Sequence, residues 1–558
     1  MTFPFAALTL STLLAGPAAS ASPGLVSAAE QRAADVITPA LLNAHIRFLS
    51  SDLLEGRGSA SRGEKIAMEY AAAQFAAMGL EPAAPGGGWI QKVPLVGVTA
   101  SVPPSMTFEG PAGRTLALEL RKDFVAFSGV PEPAARITGA EVVFVGYGIV
   151  APEFRWDDYK NVDVRGRVVL MMNNDPEDDP KLFAGKTRLR YGRWDYKYET
   201  AAMKGAVGAI LIHTTPSAGY GWQVIQTSWS GERFELPYEG EPRVQIKMWA
   251  TEDASRRIVT LGGQDLDRLR AAAQKRDFRP VPLPVKLSLA LENKVVQKEG
   301  GNVIARLPGS DPKLSAQAVL YSAHHDHLGI KDLPGASDQI CNGAVDNASG
   351  VAALLAIAEA FTRLPKAPRR SILFASVTAE EQGLLGSEYL AKHLPVPAGR
   401  IAANINVDGL NIFGRTRDLT LIGPGKSSLD GLAAQLAATQ GRVIKPDQFP
   451  DRGSFYRSDQ YNLSKVGVPA AYFDNGTDII GKPPGWGKEQ IEKWEATHYH
   501  QPSDEWRPDW DLSGAVEDVR LDFFLGAAVA NADAMPAWNA GDEFEAARKK
   551  ALAETAAK

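Results

Sequence analysis

Histidines and carboxylates at short spacing carry most of the chemistry available to this sequence. Five of the eight histidines lie in two stretches, His324-His325-Asp326-His327 and His498-Tyr499-His500. Between them come Asp346-Asn347, the adjacent acids Glu380-Glu381, and Asn406-Val407-Asp408. Imidazole plus carboxylate, with little thiol available, is the ligand chemistry of zinc and its divalent neighbours. Two adjacent acids allow one to hold a metal while the other moves a proton. The set reads as a hydrolytic site built on two metal ions.

Such residues need rigid elements to aim them. From about Val285 the chain alternates strand and helix. Apolar runs predict strands at Val303 to Leu307, Ala318 to Ser322, Ser371 to Val377, Ile401 to Val407, Leu419 to Ile422 and Pro469 to Phe473. Longer periodic runs predict helices at Ser349 to Leu364, Leu384 to His393 and Leu429 to Gln440. This alternation argues an α/β fold with a mostly parallel central sheet flanked by helices. His324, the Glu380-Glu381 pair and Asp408 each follow a strand, and open α/β sheets place their sites at strand carboxyl ends. Asp346 falls just before a helix start.

The first half of the chain differs in texture. Leu41 to Leu80 looks largely helical, and Leu116 to Leu120 looks like a strand. From about Ile137 short apolar runs appear, Val142 to Tyr147, Val168 to Met171 and Ala209 to Ile212, with a predicted helix at Ala201 to Val207. Pro216 to Glu241, rich in Gly, Ser, Trp and Tyr, reads as long loops. This block reads as a smaller inserted domain.

Taken in order, the motifs resemble a known family. They are Ala323-His324-x-Asp326, Asp346-Asn347-Ala348-Ser349-Gly350, Ala379-Glu380-Glu381-x-Gly383, Asn406-x-Asp408 and Tyr499-His500-x-Pro502. The series resembles the M28 co-catalytic zinc aminopeptidases, and the insert resembles a protease-associated (PA) domain. The resemblance implies a zinc-exopeptidase fold and two Zn2+ ions, with Co2+ or Mn2+ as alternatives. It implies that Asp346 bridges the ions, His324 and Asp408 complete one, and Glu381 and His500 the other. It implies Glu380 as general base and acid, Tyr499 as hydrogen-bond donor to the oxyanion, and Asp326 as the partner that orients His324. It also implies a cis peptide between Asp346 and Asn347. Gly409, where relatives often carry Met, and Gln460, where they often carry His, depart from the pattern and are expected to reshape the substrate pocket.

The corresponding organisation is a signal segment at 1–21, the N-terminal part of the peptidase domain at 30–135, a PA-like insert at 136–260, the main part at 285–540 and a tail at 541–558. The expected activity is release of N-terminal residues from peptides with a free N-terminus. Rival readings are a carboxypeptidase, for which Arg452 and Arg457 could grip a carboxylate, a glutaminyl cyclase of the same fold, and an inactive peptide-binding protein. The insert is expected to narrow the site entrance.

Blander readings stand beside several residues. His325, His327 and His498 read as packed or solvent-bonded imidazoles, and His45, His213 and His393 as structural or exposed. Glu380-Glu381, taken alone, would be an ordinary solvated helix start. Asp157-Asp158 reads as a solvated turn, and Tyr220-Gly221-Trp222 as loop packing or a substrate groove.

Bulk properties narrow the options. A chain of 558 residues exceeds one core, so at least two domains are expected. The formal charge is -5 from 60 basic and 65 acidic residues, with no long basic block, which makes nucleic acid an unexpected partner. Met1 to Ala21 is mainly apolar and ends in Ala19-Ser20-Ala21, which reads as an export signal despite lacking an early Lys or Arg. The expected location is periplasmic or secreted, without stable membrane insertion, and the oligomeric state is not legible. Cys341, the only cysteine, excludes an intramolecular disulfide and reads as a packing residue.

Overall fold

A computed structural model describes residues 24–556, apart from 180 and 334. The signal segment at 1–21 lies outside the described residues.

The larger lobe is organised by a seven-strand run of sheet. Its order is Val281–Leu307, Ser371–Val377, Ala318–His324, Ile401–Asn406, Ala470–Asp474, Asp418–Leu421 and Val443–Pro446. The four middle neighbours, from Ser371–Val377 to Ala470–Asp474, run parallel, and antiparallel pairs flank them. Ala318–His324, Ser371–Val377 and Ile401–Asn406 are buried at every position. That explains their continuous apolar texture, since a parallel sheet is covered on both faces.

Helix Gly350–Thr362 covers one face and is apolar on nearly all sides, as burial among other elements requires. It packs with helices Pro39–Leu49, Arg62–Ala77 and Ser513–Asn531 in one continuous core. The window Ala344–Thr362 is long and apolar enough to cross a membrane, and 83% of it is buried inside this fold. Helices Leu385–Lys392 and Leu429–Thr439 fall where periodicity predicts them.

In the smaller lobe the same sheet continues through Val281–Leu307. Ala134–Phe144, Val168–Met172, Gly208–His213 and Ile246–Thr251 run parallel in that order, and Phe124–Ser128 closes the edge antiparallel. Its core draws on residues outside 136–260, including Phe108, Leu118, Phe124, Leu287 and Leu291. The 27-residue strand Val281–Leu307 belongs to both lobes. Its first half alternates buried and exposed against Ala134–Phe144, and its last five residues pair with Ser371–Val377.

Three local expectations are corrected. The helix expected at Ala201 to Val207 is Trp194–Met203, because its first turns are aromatic and charged rather than evenly apolar. Pro216 to Glu241 is not all loop. It holds the helix Trp222–Ser228 and the strand Glu232–Glu235. Asp158 is not in a solvated turn but fully buried, accepting the Ile149 N–H at 2.9 Å, and burial raises its pKa to about 7.

Candidate metal centre

The carboxyl ends of the parallel strands and the loops beyond them bring the acids and histidines together. His324 is the last residue of Ala318–His324, Glu380 lies three past Ser371–Val377, and Asp408 lies two past Ile401–Asn406. Asp346 stands in an irregular turn before Gly350–Thr362, with a cis peptide to Asn347. His500 follows the helix Trp486–Thr497 in a left-handed conformation at φ +56°. A non-glycine residue there costs on the order of 1 kcal/mol and persists only where neighbours hold it.

The turn around Asp346 is over-determined. Asp504 accepts the N–H groups of Val345 at 2.9 Å and Asp346 at 3.1 Å. The Asn347 amide donates to the Val407 carbonyl at 3.1 Å and accepts from Gly350 N at 2.8 Å and Gly409 N at 2.9 Å. The turn is thus tied to the loop carrying Asp408. Gly343 enters it at φ +55°, and a Cβ there would lie 2.2 Å from the Asp346 carbonyl oxygen, so no larger residue fits.

The two oxygens of Asp346 face different histidines. Oδ1 is 3.3 Å from His324 Nε2, and Oδ2 is 3.2 Å from His500 Nε2. His324 Nε2 is also 3.1 Å from Asp408 Oδ1, and His500 Nε2 is 3.2 Å from Glu381 Oε2. Donors at about 2.0 Å from a tetrahedral ion sit about 3.3 Å from one another. The spacing and the mixed imidazole–carboxylate chemistry therefore fit a divalent ion on each side of Asp346. Glu380 lines the same cavity, with Oε2 4.0 Å from His324 Nε2.

Electrostatics match a buried acidic cluster. Burial raises Glu381 to about 8 and Glu380 well above the usual carboxylate range, with Asp408 and Glu381 adding to the effect on Glu380. Burial opposes charge on His324, but Asp408 and Glu380 overcome it and raise its pKa well above the ordinary value. Asp346 is held well below the usual range by His324 and His500, against the pull of burial. A cation between these acids would relieve their mutual repulsion.

Asp326 sits beside His324 with a different division of labour from the one expected. Its backbone carbonyl is 3.2 Å from His324 Nδ1. Its carboxylate, 3.7 Å from that nitrogen, accepts from Glu380 N and Ser59 Oγ, each at 3.0 Å. The side chain thus aims the backbone of Glu380 as much as the imidazole. The Tyr499 hydroxyl accepts from Arg457 Nη2 at 3.0 Å, which leaves its own proton free to donate. Burial raises its pKa well above the phenol value, so it stays protonated.

His327, expected as a packed or solvent-bonded imidazole, and two residues without a local signal, Ser228 and Arg57, also contact the site. His327 Nδ1 lies 2.7 Å from Glu381 Oε1, the distance of a hydrogen bond, and His327 with Asp346 and Glu381 also forms a group able to hold a metal ion. His327 thus meets one oxygen of Glu381 and His500 the other, with the centres of the two imidazole rings 5.7 Å apart. Ser228 Oγ lies 2.7 Å from His500 Nδ1. Arg57, fully buried, donates to the carbonyls of His325 at 2.8 Å, Asn342 at 2.7 Å and Gly343 at 2.9 Å, and also to Leu49. Replacing Arg57 by methionine strands those carbonyls and removes positive charge beside Asp504 and Asp326. A loss of about 3–5 kcal/mol is expected, measurable as a lowered urea midpoint. A midpoint within error of the original would remove Arg57 from this role.

Three further residues stay apart from ligation. His325 Nδ1 pairs with Ser376 Oγ at 3.0 Å, and His498 Nδ1 with Ser503 Oγ at 2.8 Å. Cys341 is fully buried, its thiol pushed up to about 12, and it joins neither metal-capable cluster among the described residues.

Beside the centre opens a cavity lined by Asp346, Glu380, Asp408 and Tyr499. Its apolar wall includes Ile412, Phe413, Phe449, Ile491 and Trp494, and Gly219 and Tyr220 of the smaller lobe form part of its rim. Gly409 lines it at φ +90°, a conformation suited to glycine. Gln460 does not line it. Its amide accepts from Asn406 Nδ2 at 3.1 Å and donates to the Phe455 carbonyl at 2.8 Å.

Residues 302–524 match peptidase family M28. The matched segment contains every candidate ligand, together with Glu380 and Tyr499. A "Probable zinc metalloprotease" of Pyrenophora teres f. teres is 37% identical over 107 residues, 19% of this chain and 22% of that protein. "Leupeptin-inactivating enzyme 1" of Streptomyces exfoliatus is 28% identical over 206 residues, 36% of this chain and 40% of that protein. The chain thus spans less than half the length of these curated relatives. Among solved structures, an aminopeptidase from Aneurinibacillus sp. strain AM-1 aligns over 90% of this chain and 95% of its own, at 20% identity and a TM-score of 0.52. That likeness is one of fold, and it extends beyond residues 302–524 into the smaller lobe.

Proposed function

We propose that the protein is an exported metallo-aminopeptidase that removes N-terminal residues from peptides, using two zinc ions. The observation that carries this reading is Asp346, whose two oxygens face His324 at 3.3 Å and His500 at 3.2 Å beside one cavity. The M28 match and the zinc named for a relative support it.

His324, Asp346 and Asp408 would hold one ion, and Glu381, Asp346 and His500 the other. When bound, such ions polarise a carbonyl and make water a usable nucleophile at neutral pH. Glu380, the neighbour of a ligand but not one itself, takes the proton of the attacking water and returns it to the leaving amine. Tyr499, steadied by Arg457, donates its hydroxyl proton to the oxygen on which negative charge grows. The apolar wall receives the side chain of the residue to be removed, and the small-lobe rim limits the size of what enters.

Aminoacyl anilides should be cleaved, and the same compounds blocked at nitrogen should not. Chelation should abolish cleavage, and added zinc should restore it. Activity that survives full metal removal would exclude the reading. Tyr499→Phe is expected to lower kcat by about 10²- to 10³-fold with a smaller change in KM, read from steady-state kinetics on one anilide.

A carboxypeptidase is the second reading, and one observation favours it. Arg457 lines the cavity, and among the described residues it forms no ion pair, whereas Arg452 is paired with Glu495. Cleavage of nitrogen-blocked peptides from their carboxyl end would select it. Export rests on residues 1–21, and a periplasmic or culture-supernatant protein beginning after Ala21 is the expected product of expression.

A further inference from the structure

The two histidines that face Asp346 are supported from different parts of the molecule. His324 turns Nδ1 to the Asp326 carbonyl, two residues along its own chain. His500 turns Nδ1 to Ser228 Oγ at 2.7 Å, across 272 positions of sequence and from the smaller lobe. Both partners are buried, Ser228 at 8% exposure and His500 at 9%. The contact is not isolated. Gln223 Nε2 donates to the Ala496 carbonyl at 3.2 Å, and Gln501 Nε2 to Thr227 Oγ1 at 3.3 Å. The helix Trp222–Ser228 is therefore laid along residues 496–501. Behind it the buried Arg233 donates to the Ser228 carbonyl at 2.8 Å, with its guanidinium 5.5 Å from the Trp229 ring centre.

We propose that Ser228 is a positioning residue for the metal centre, and that the smaller lobe thereby completes one of the two ion sites. This rests on the two-ion reading of the site given above. A neutral imidazole carries one proton, and the partner at one ring nitrogen decides which nitrogen keeps its lone pair. The Ser228 hydroxyl accepts the Nδ1 proton of His500, so Nε2 presents its lone pair toward Asp346 and Glu381. The ring cannot swing away while the helix is docked. Such outer partners typically change metal affinity by about 10- to 100-fold. Among the described residues, the opposite site, His324 with Asp346 and Asp408, takes no such bond from the smaller lobe. The two ions should therefore bind with unequal dependence on that lobe.

The test is zinc titration of the metal-stripped full chain against a chromophoric chelator, for wild type, Ser228→Ala, Ser228→Thr and His500→Ala. Wild type should bind two ions. Ser228→Ala should weaken one binding step by about 10- to 100-fold and leave the other unchanged, matching the step that His500→Ala abolishes. Ser228→Thr, which keeps the hydroxyl, should restore it. Thermal unfolding of the metal-free Ser228→Ala protein should match wild type, which separates positioning from general loosening. Unchanged affinities in Ser228→Ala would overturn the inference and leave the two-ion reading standing. Equal weakening of both steps would overturn it too. A wild-type chain without stoichiometric zinc would overturn both.

Discussion

Replacing Glu380 by glutamine is expected to lower kcat by about 10²- to 10⁴-fold while zinc content stays at the wild-type value. Glutamine keeps the size of the side chain and can still be held by the bond from its own N–H to Asp326 Oδ1 at 3.0 Å. What it loses is the ability to take a proton from water and return it. Glu381 cannot substitute, because its Oε1 is 2.7 Å from His327 and its Oε2 is 3.2 Å from His500. The measurement pairs steady-state kinetics with elemental analysis of the same protein sample. Near-normal turnover would remove Glu380 from its role. Lost zinc would make it a ligand instead.

Asp346→Asn is expected to remove both ions and, with them, essentially all turnover. One carboxylate serves two histidines here, so one substitution damages both sides at once. The neutral amide offers a single acceptor oxygen, and its NH₂ would face a histidine or an ion. A loss well beyond the roughly 100-fold assigned to outer partners is expected at each site. Circular dichroism should stay near wild type, because the bonds holding this turn come from the backbone N–H of Asp346 to Asp504 and from the Asn347 amide. Retention of one tightly bound zinc would show that Asp346 does not bridge.

Much of the larger lobe was legible because its signals are local. Strands such as Ser371–Val377 are short runs of apolar residues that must be covered on both faces, and polar turns bound them. The acids and histidines at their carboxyl ends then stand out by position. The smaller lobe was harder to read. In Val281–Leu307 the alternation of buried and exposed residues is clean, but the strand carries Pro282 and Pro284, which cannot donate to a ladder. Both are accommodated on exposed positions, beside an irregularity in the pairing with Ala134–Phe144. Trp194–Met203 hid because its inward face is aromatic and includes the buried Lys197.

The site shows the same division. His324, Asp346, Glu380, Glu381, Asp408 and His500 stand out as a group by residue type, and the resemblance to a known family is what picks them from their neighbours. His327 and Ser228 are not picked out in this way, since each acts through a contact with a distant segment. His327 meets Glu381 54 residues away, and Ser228 reaches His500 across 272. A histidine beside a ligand motif was the one available signal for His327. Nothing local distinguishes Ser228 from the other serines in its aromatic stretch.

The central claim is a pair of ions flanking Asp346, and anomalous diffraction at the zinc edge from crystals of the zinc-loaded protein measures it directly. Two peaks are expected, one among His324, Asp346 and Asp408, the other among His500, Asp346 and Glu381. A single peak away from the Asp346 carboxylate, or none at full zinc loading, would contradict the account.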